Sequence, residues 1–68
     1  MTPNYLIELI NRAAKKAGSD AALARELEVS RSRIGDWRTG RTTCPPADVA
    51  LMASVAGLDP EAWTARAV

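Results

Sequence analysis

Only two residues, Glu28 and Val29, separate two stretches that both read as short helices. On the N-terminal side Ser19 or Asp20 can cap a helix over residues 21–27, with Leu23, Ala24 and Leu27 on its inner face. On the C-terminal side Ser30 can cap a helix that ends at Thr39 and Gly40. So short a link cannot lay the two side by side, so they must meet at a steep angle. The small Ala24 lets the second helix approach the first, while Leu27, Val29, Ile34 and Trp37 fill the corner between them. Whatever else the chain forms must pack around that corner.

What remains is helical in character. A first helix follows Pro3 and runs to about Ala17, with Leu6, Ile7, Ile10, Ala14 and Ala17 near helical spacing, and stops at Gly18. A polar loop over residues 41–44 leads to Pro45 and Pro46, which suit the first turn of a fourth helix. That helix presents Val49, Met52, Ala53 and Ala56 and stops at Gly57; Asp59, Pro60 and Glu61 then open a last short one that holds Trp63. Phenylalanine is absent and β-branched residues are scattered, so a sheet has little to be built from. A chain of 68 residues is one domain, and at this size folding buries only about 60% of the unfolded surface. The expectation is one compact all-α, five-helix domain over residues 1–68, with the tight corner at about residues 20–40.

Several function classes are disfavoured. There is no histidine, the commonest general base and neutral metal ligand. Cys44 is the single cysteine, so no internal disulfide can form, and the carboxylates show no zinc-site spacing. The chain is therefore expected to be no enzyme and to hold no metal, cofactor or small-molecule ligand. No basic stretch precedes an apolar run at the N-terminus, and no apolar run nears the roughly 18 residues of a membrane span. A soluble, cytoplasmic protein without membrane contact is expected.

Net charge is only +1, but its distribution is uneven. Residues 30–43 carry Arg31, Arg33, Arg38 and Arg41 against Asp36 alone, and residues 1–18 carry Arg12, Lys15 and Lys16 against Glu8. The two other stretches are net negative. Such a basic segment fits a localised phosphate footprint, and equally a solvated helix face. The third helix sharpens the point. At about 100° per residue, Ile34 and Trp37 define its buried side, Arg31, Ser32, Gly35 and Thr39 face away, and Asp36 and Arg38 lie at the margins. That outward arc breaks local rules. Arg31 sits at the positive end of the helix dipole, and a mid-helix glycine costs about 1 kcal/mol relative to alanine. A use for that surface explains both losses, and a polyanion would offset the first.

Residues 23–41 resemble the lambda-repressor/Cro-like helix-turn-helix family, also called the xenobiotic-response-element type, in its phage and prophage regulator form. The resemblance rests on Leu23, Ala24, Leu27, Val29, Ser30, Ile34, Trp37 and Gly40, and residues 52–63 look like the closing helix of such domains. It implies the five-helix lambda-repressor-like fold and binding of double-stranded DNA as a homodimer on paired half-sites. One position departs from the family: Glu28 stands where glycine is usual, at a turn that needs positive φ, for roughly 1 kcal/mol or more.

Carried over by position, the resemblance makes Arg31, Ser32, Gly35 and Asp36 the base-reading residues. Arg31 suits a bidentate contact to guanine. Asp36 either accepts from cytosine N4 or pairs with Arg33 three residues back. Gly35 lets the backbone approach the bases or admits a thymine methyl. Ser30, Arg38, Thr39, Arg41, Thr42 and Thr43 border the sugar-phosphate backbone and would position the protein. Arg33 lies nearer the buried flank, where its stem can cover Trp37. Leu58, Trp63 and Val68 form the candidate dimer surface, although Trp63 could equally pack inside its own domain. The leading expectation is a sequence-specific transcriptional regulator, a Cro-like repressor on a palindromic operator. The alternatives are an antitoxin-type DNA-binding protein and a helical protein-interaction module that does not bind DNA.

Overall fold

The computed structural model describes residues 3–67, with only the backbone described at Ala67. Five helices follow in order, α1 (Asn4–Ala17), α2 (Asp20–Leu27), α3 (Arg31–Thr39), α4 (Pro46–Val55) and α5 (Pro60–Ala67), with no strand among the described residues. The all-helical, five-helix expectation is met.

α1 is the spine of the molecule and lies against α2, α3 and α4. Its first free N–H groups are met by the Pro3 carbonyl, which accepts from Leu6 and Ile7 at 3.1 and 3.4 Å. Leu6, Leu9, Ile10, Ala13 and Ala14 are buried, the i, i+3, i+4, i+7, i+8 stripe of a core-facing helix. The sequence expectation placed Ile7 and Ala17 on this face and left out Leu9 and Ala13; Ile7 and Ala17 are only partly buried. Aliphatic side chains at 6, 7, 9 and 10 leave the rotation of α1 ambiguous in the sequence, and packing against three helices decides it.

The joints use one device three times. Helices α2, α3 and α4 each close with a residue at positive φ, followed by a long backbone bond to the previous turn. Val29 N–H donates to the Ala24 carbonyl at 2.9 Å, Arg41 N–H to Asp36 at 2.9 Å, and Leu58 N–H to Ala53 at 2.8 Å. This is the Schellman closure, in which the final carbonyls of a helix are satisfied by a left-handed residue and its successor. Gly40 and Gly57 hold that position in α3 and α4; in α2 it is Glu28, at φ 58 and ψ 41. The positive φ expected there is present, in a residue with a Cβ. The successor residues differ in where they point. Val29 and Leu58 fold back against the core, whereas Arg41 is exposed. The C-terminal end of α3 is thereby left facing solvent.

α4 starts on Pro45 and Pro46 and buries Val49, Met52 and Ala53. α5 packs on α4 more extensively than any other pair of helices pack together. The Asp59 carboxylate accepts from Glu61 N–H at 3.0 Å and so caps α5. Trp63 is only 8% exposed, within the core of its own chain, and Arg66 stacks its guanidinium 4.5 Å over the ring. Leu58 is partly buried against the same core. Of the expected dimer surface, then, Trp63 and Leu58 are used within the subunit, because so short an α5 needs its one large side chain to cover α4. Val68 lies outside the described residues. Cys44 is buried next to α4, where burial, aided by the charge of Asp48, pushes its thiol up to about 12.

Candidate nucleic-acid interface

α3 is held from beneath and open above. Ser30 Oγ accepts from the Arg33 N–H at 3.2 Å, which satisfies one of the helix's first donors. Ile34 and Trp37 are essentially inaccessible to solvent, and they seat α3 against α1 and α2. Arg31, Ser32, Arg33, Gly35 and Thr39 are exposed, while Asp36 and Arg38 are half-buried at the edges. The first turn of α3 contains no acidic residue. A side chain at Gly35 would meet nothing: an added Cβ has no neighbour within 4 Å. Packing therefore does not require a glycine there, although glycine weakens the helix. Arg33 is exposed.

The arginines divide into two groups. Arg38 turns inward: its Nη1 and Nη2 donate to the two carboxylate oxygens of Asp20 on α2, and Nη2 also donates to Asn11 Oδ1 on α1 at 3.0 Å. A planar fork on a carboxylate is the strongest arrangement a guanidinium makes with a side chain. The Arg38 hydrogen bond holds the Asp20 carboxyl below its ordinary value of 3.8; burial opposes this, and the charges of Arg38 and then Arg31 reinforce it. Arg31 and Arg38 are seven residues apart, two turns along one edge of α3, and Asp20 stands beside that edge. Arg41 behaves differently. It is 79% exposed, with its Nε 3.9 Å from an Asp36 oxygen. The pair expected between Asp36 and Arg33 is replaced by this long contact, because the Gly40 turn brings Arg41 back beside Asp36. Thr39 Oγ1 donates to the Asp36 carbonyl at 3.3 Å, and Thr42 and Thr43 are exposed in the following loop.

The exposed face thus brings together Arg31, Ser32 and Gly35, with Asp36 at one margin and Ser30, Thr39, Arg41, Thr42 and Thr43 at the ends of the helix. Arg38, expected on phosphate, makes its hydrogen bonds here to Asp20 and Asn11. Asn11 and Asp20, its partners, carry no local signal in the sequence, since neither lies within a helical turn of Arg38. Elsewhere Arg12, Lys15, Lys16, Ala56 and Leu58 line an open groove of about 490 Å³. No three potential metal-ligating side chains cluster among the described residues, and no helix there is long and apolar enough to cross a membrane.

This arrangement agrees with comparison against known proteins. The family model for the helix-turn-helix domain matches residues 12–65, from the middle of α1 into α5. No curated protein and no solved structure gives a significant match. The matched span includes the whole α2–turn–α3 unit and every residue of the exposed face just described. By that match, and in keeping with the Cro-like resemblance of residues 23–41, the chain belongs to the helix-turn-helix domain family, whose function class is the DNA-binding regulator.

Proposed function

We propose that this protein is a sequence-specific regulator that reads double-stranded DNA with α3, binds a palindromic operator as a homodimer, and represses by occupancy in the manner of Cro-like phage regulators. The observation that carries the proposal is Gly35. It weakens the middle of a nine-residue helix, and no atom of the fold needs its missing side chain. A groove that must come close to the backbone supplies the reason. In this reading the exposed Arg31 takes guanine O6 and N7, Ser32 and Gly35 line the adjacent base edges, and Asp36 faces cytosine N4. Ser30, Arg41, Thr42 and Thr43 meet phosphates and set the register. Only Arg31, Arg33 and Arg41 are exposed cations on or beside α3, so useful affinity requires two chains on one site. Control comes through protein concentration, with no catalysis and no small ligand.

The test is selection of bound sequences from a random duplex pool. The enriched sequences should contain inverted half-sites about 34–36 Å apart, one turn of DNA. Arg31→Ala should relax preference at one base pair by about 1–3 kcal/mol, while Arg41→Ala should weaken all sequences alike. A pool that emerges unenriched at low salt removes the reading. One observation favours a second reading, a protein-interaction module without DNA binding. Both margins of the face carry a carboxylate beside an arginine, Asp20 with Arg38 and Asp36 with Arg41. Failure to bind any duplex in dilute buffer would support that alternative, since a DNA reader binds there and loses affinity as salt rises, each neutralised phosphate adding about −0.9 to the log–log slope.

A further inference from the structure

We infer that Asp20 restrains Arg38: it draws the guanidinium onto α2 and α1, so that Arg38 orients α3 and adds no phosphate contact of its own. The inference rests on the DNA-reading role of α3 and goes beyond it by giving Asp20 and Arg38 a part in specificity. Three observations carry it. The Arg38 fork occupies both oxygens of Asp20, and its remaining reach goes to Asn11. α3 is thereby pinned to both helices it rests on. The Arg38 side chain is 29% exposed and lies on the edge of α3 that also carries Arg31, so without Asp20 it could swing to a phosphate. The Asp20 charge lies close enough to feel Arg31 as well as Arg38, so one carboxylate tempers that whole edge.

The consequence is a trade between two kinds of binding. A phosphate contact raises affinity for every duplex alike, whereas a helix held in fixed orientation raises affinity only where the bases match. Asp20 gives up the first for the second. Arg38 is thus a positioning residue, and Asp20 keeps non-specific binding by the α3 face low.

The experiment measures affinity against salt, from about 50 to 200 mM, for the selected duplex and for a random one. It compares the parent, Asp20→Asn, Arg38→Met and Arg41→Met, each checked for folding by circular dichroism. Arg41→Met should flatten the slope by about 0.9, the loss of one phosphate. Arg38→Met should keep the parental slope while the ratio of specific to random affinity falls. Asp20→Asn frees Arg38 and should steepen the slope by about 0.9, so that affinity drops about 3.5-fold further over that salt range. It should also tighten binding to the random duplex. A merely structural role would leave the slopes of the folded variants unmoved. An Arg38→Met slope that falls as far as that of Arg41→Met overturns the inference, as does an Asp20→Asn protein with parental slope and ratio. If Arg38→Met does not fold, the near-isosteric Asp20→Asn decides alone. A parent that binds no duplex fails at the earlier level and removes the DNA reading itself.

Discussion

At Gly35 the fold and the proposed function pull in opposite directions, and a single methyl group can separate them. Nothing within 4 Å would meet the Cβ of an alanine there, and alanine favours the helix by about 1 kcal/mol. Gly35→Ala should therefore raise the melting temperature by about 4–8 °C, the shift expected for 1 kcal/mol in a domain of this size. The same methyl would stand between α3 and the bases, so affinity for the selected duplex should fall roughly tenfold, about 1.4 kcal/mol. Thermal melts and titrations on one preparation check both signs; a variant that is more stable and binds as well as the parent would leave Gly35 without a role. Glu28 makes the complementary case. Its φ of 58 closes α2, and a residue with a Cβ is disfavoured there by about 1–2 kcal/mol. Glycine would remove that strain while losing about 0.5–1 kcal/mol to its freedom in the unfolded chain. The strain term is the larger, and the Glu28 side chain is exposed. Glu28→Gly should therefore stabilise the protein by about 0.5–1 kcal/mol, read as a melting point raised by a few degrees with DNA affinity unchanged.

Between elements, the fork joining α3 to α1 and α2 gives stability a dependence on acid. Arg38 holds the Asp20 carboxyl below 3.8, so the folded protein favours the charged form more than the unfolded chain does. The contribution is complete above pH 3.8 and is lost as the pH falls from there through the lower folded value, because the unfolded chain takes up the proton first. With side chains 29% and 38% exposed, solvent screens the pair and its worth is about 1 kcal/mol or less. The melting point of the parent should exceed that of Asp20→Asn at neutral pH, and the gap should close below pH 3.8; a gap that persists in acid would show that the carboxylate charge is not what joins the helices. This scale also marks where the sequence stops being informative. Ser30 and the Glu28–Val29 turn act on neighbours within one turn, so α2, the turn and α3 could be read directly. The Arg38–Asp20 pair spans 18 residues and exists only once α2 and α3 have met. The rotation of α1, which buries Leu9 and not Ile7, and the inward path of Trp63 likewise depend on partners far along the chain. The exposure of Arg31, Ser32 and Gly35 on α3 was therefore legible, whereas the fork that half-buries Arg38 was not.

For the molecule as a whole, small size makes DNA binding visible as stability. The Cα radius of gyration is 10.4 Å, and the core rests on a handful of fully buried side chains, Trp37, Leu9, Ile10, Leu23, Ile34, Met52 and Val49. Such a domain is marginal, so a ligand that binds only the folded form adds a large fraction of its stability. Duplex at one hundred times the dissociation constant adds about 2.7 kcal/mol. At about 4–8 °C per kcal/mol, the selected duplex should raise the melting point by about 10–20 °C, and a random duplex by much less. Salt refines the prediction. The chain has a net charge of only +1, so overall attraction to a polyanion is slight, and any salt-sensitive shift has to come from the local cations around α3. Raising salt should shrink the shift from the random duplex first and that from the selected duplex more slowly, because base contacts persist when phosphate contacts are screened. Arg31→Ala should bring the two duplexes close together. Equal shifts from every duplex would leave α3 a non-specific cation, and no shift from any would mean that its open face meets something other than DNA.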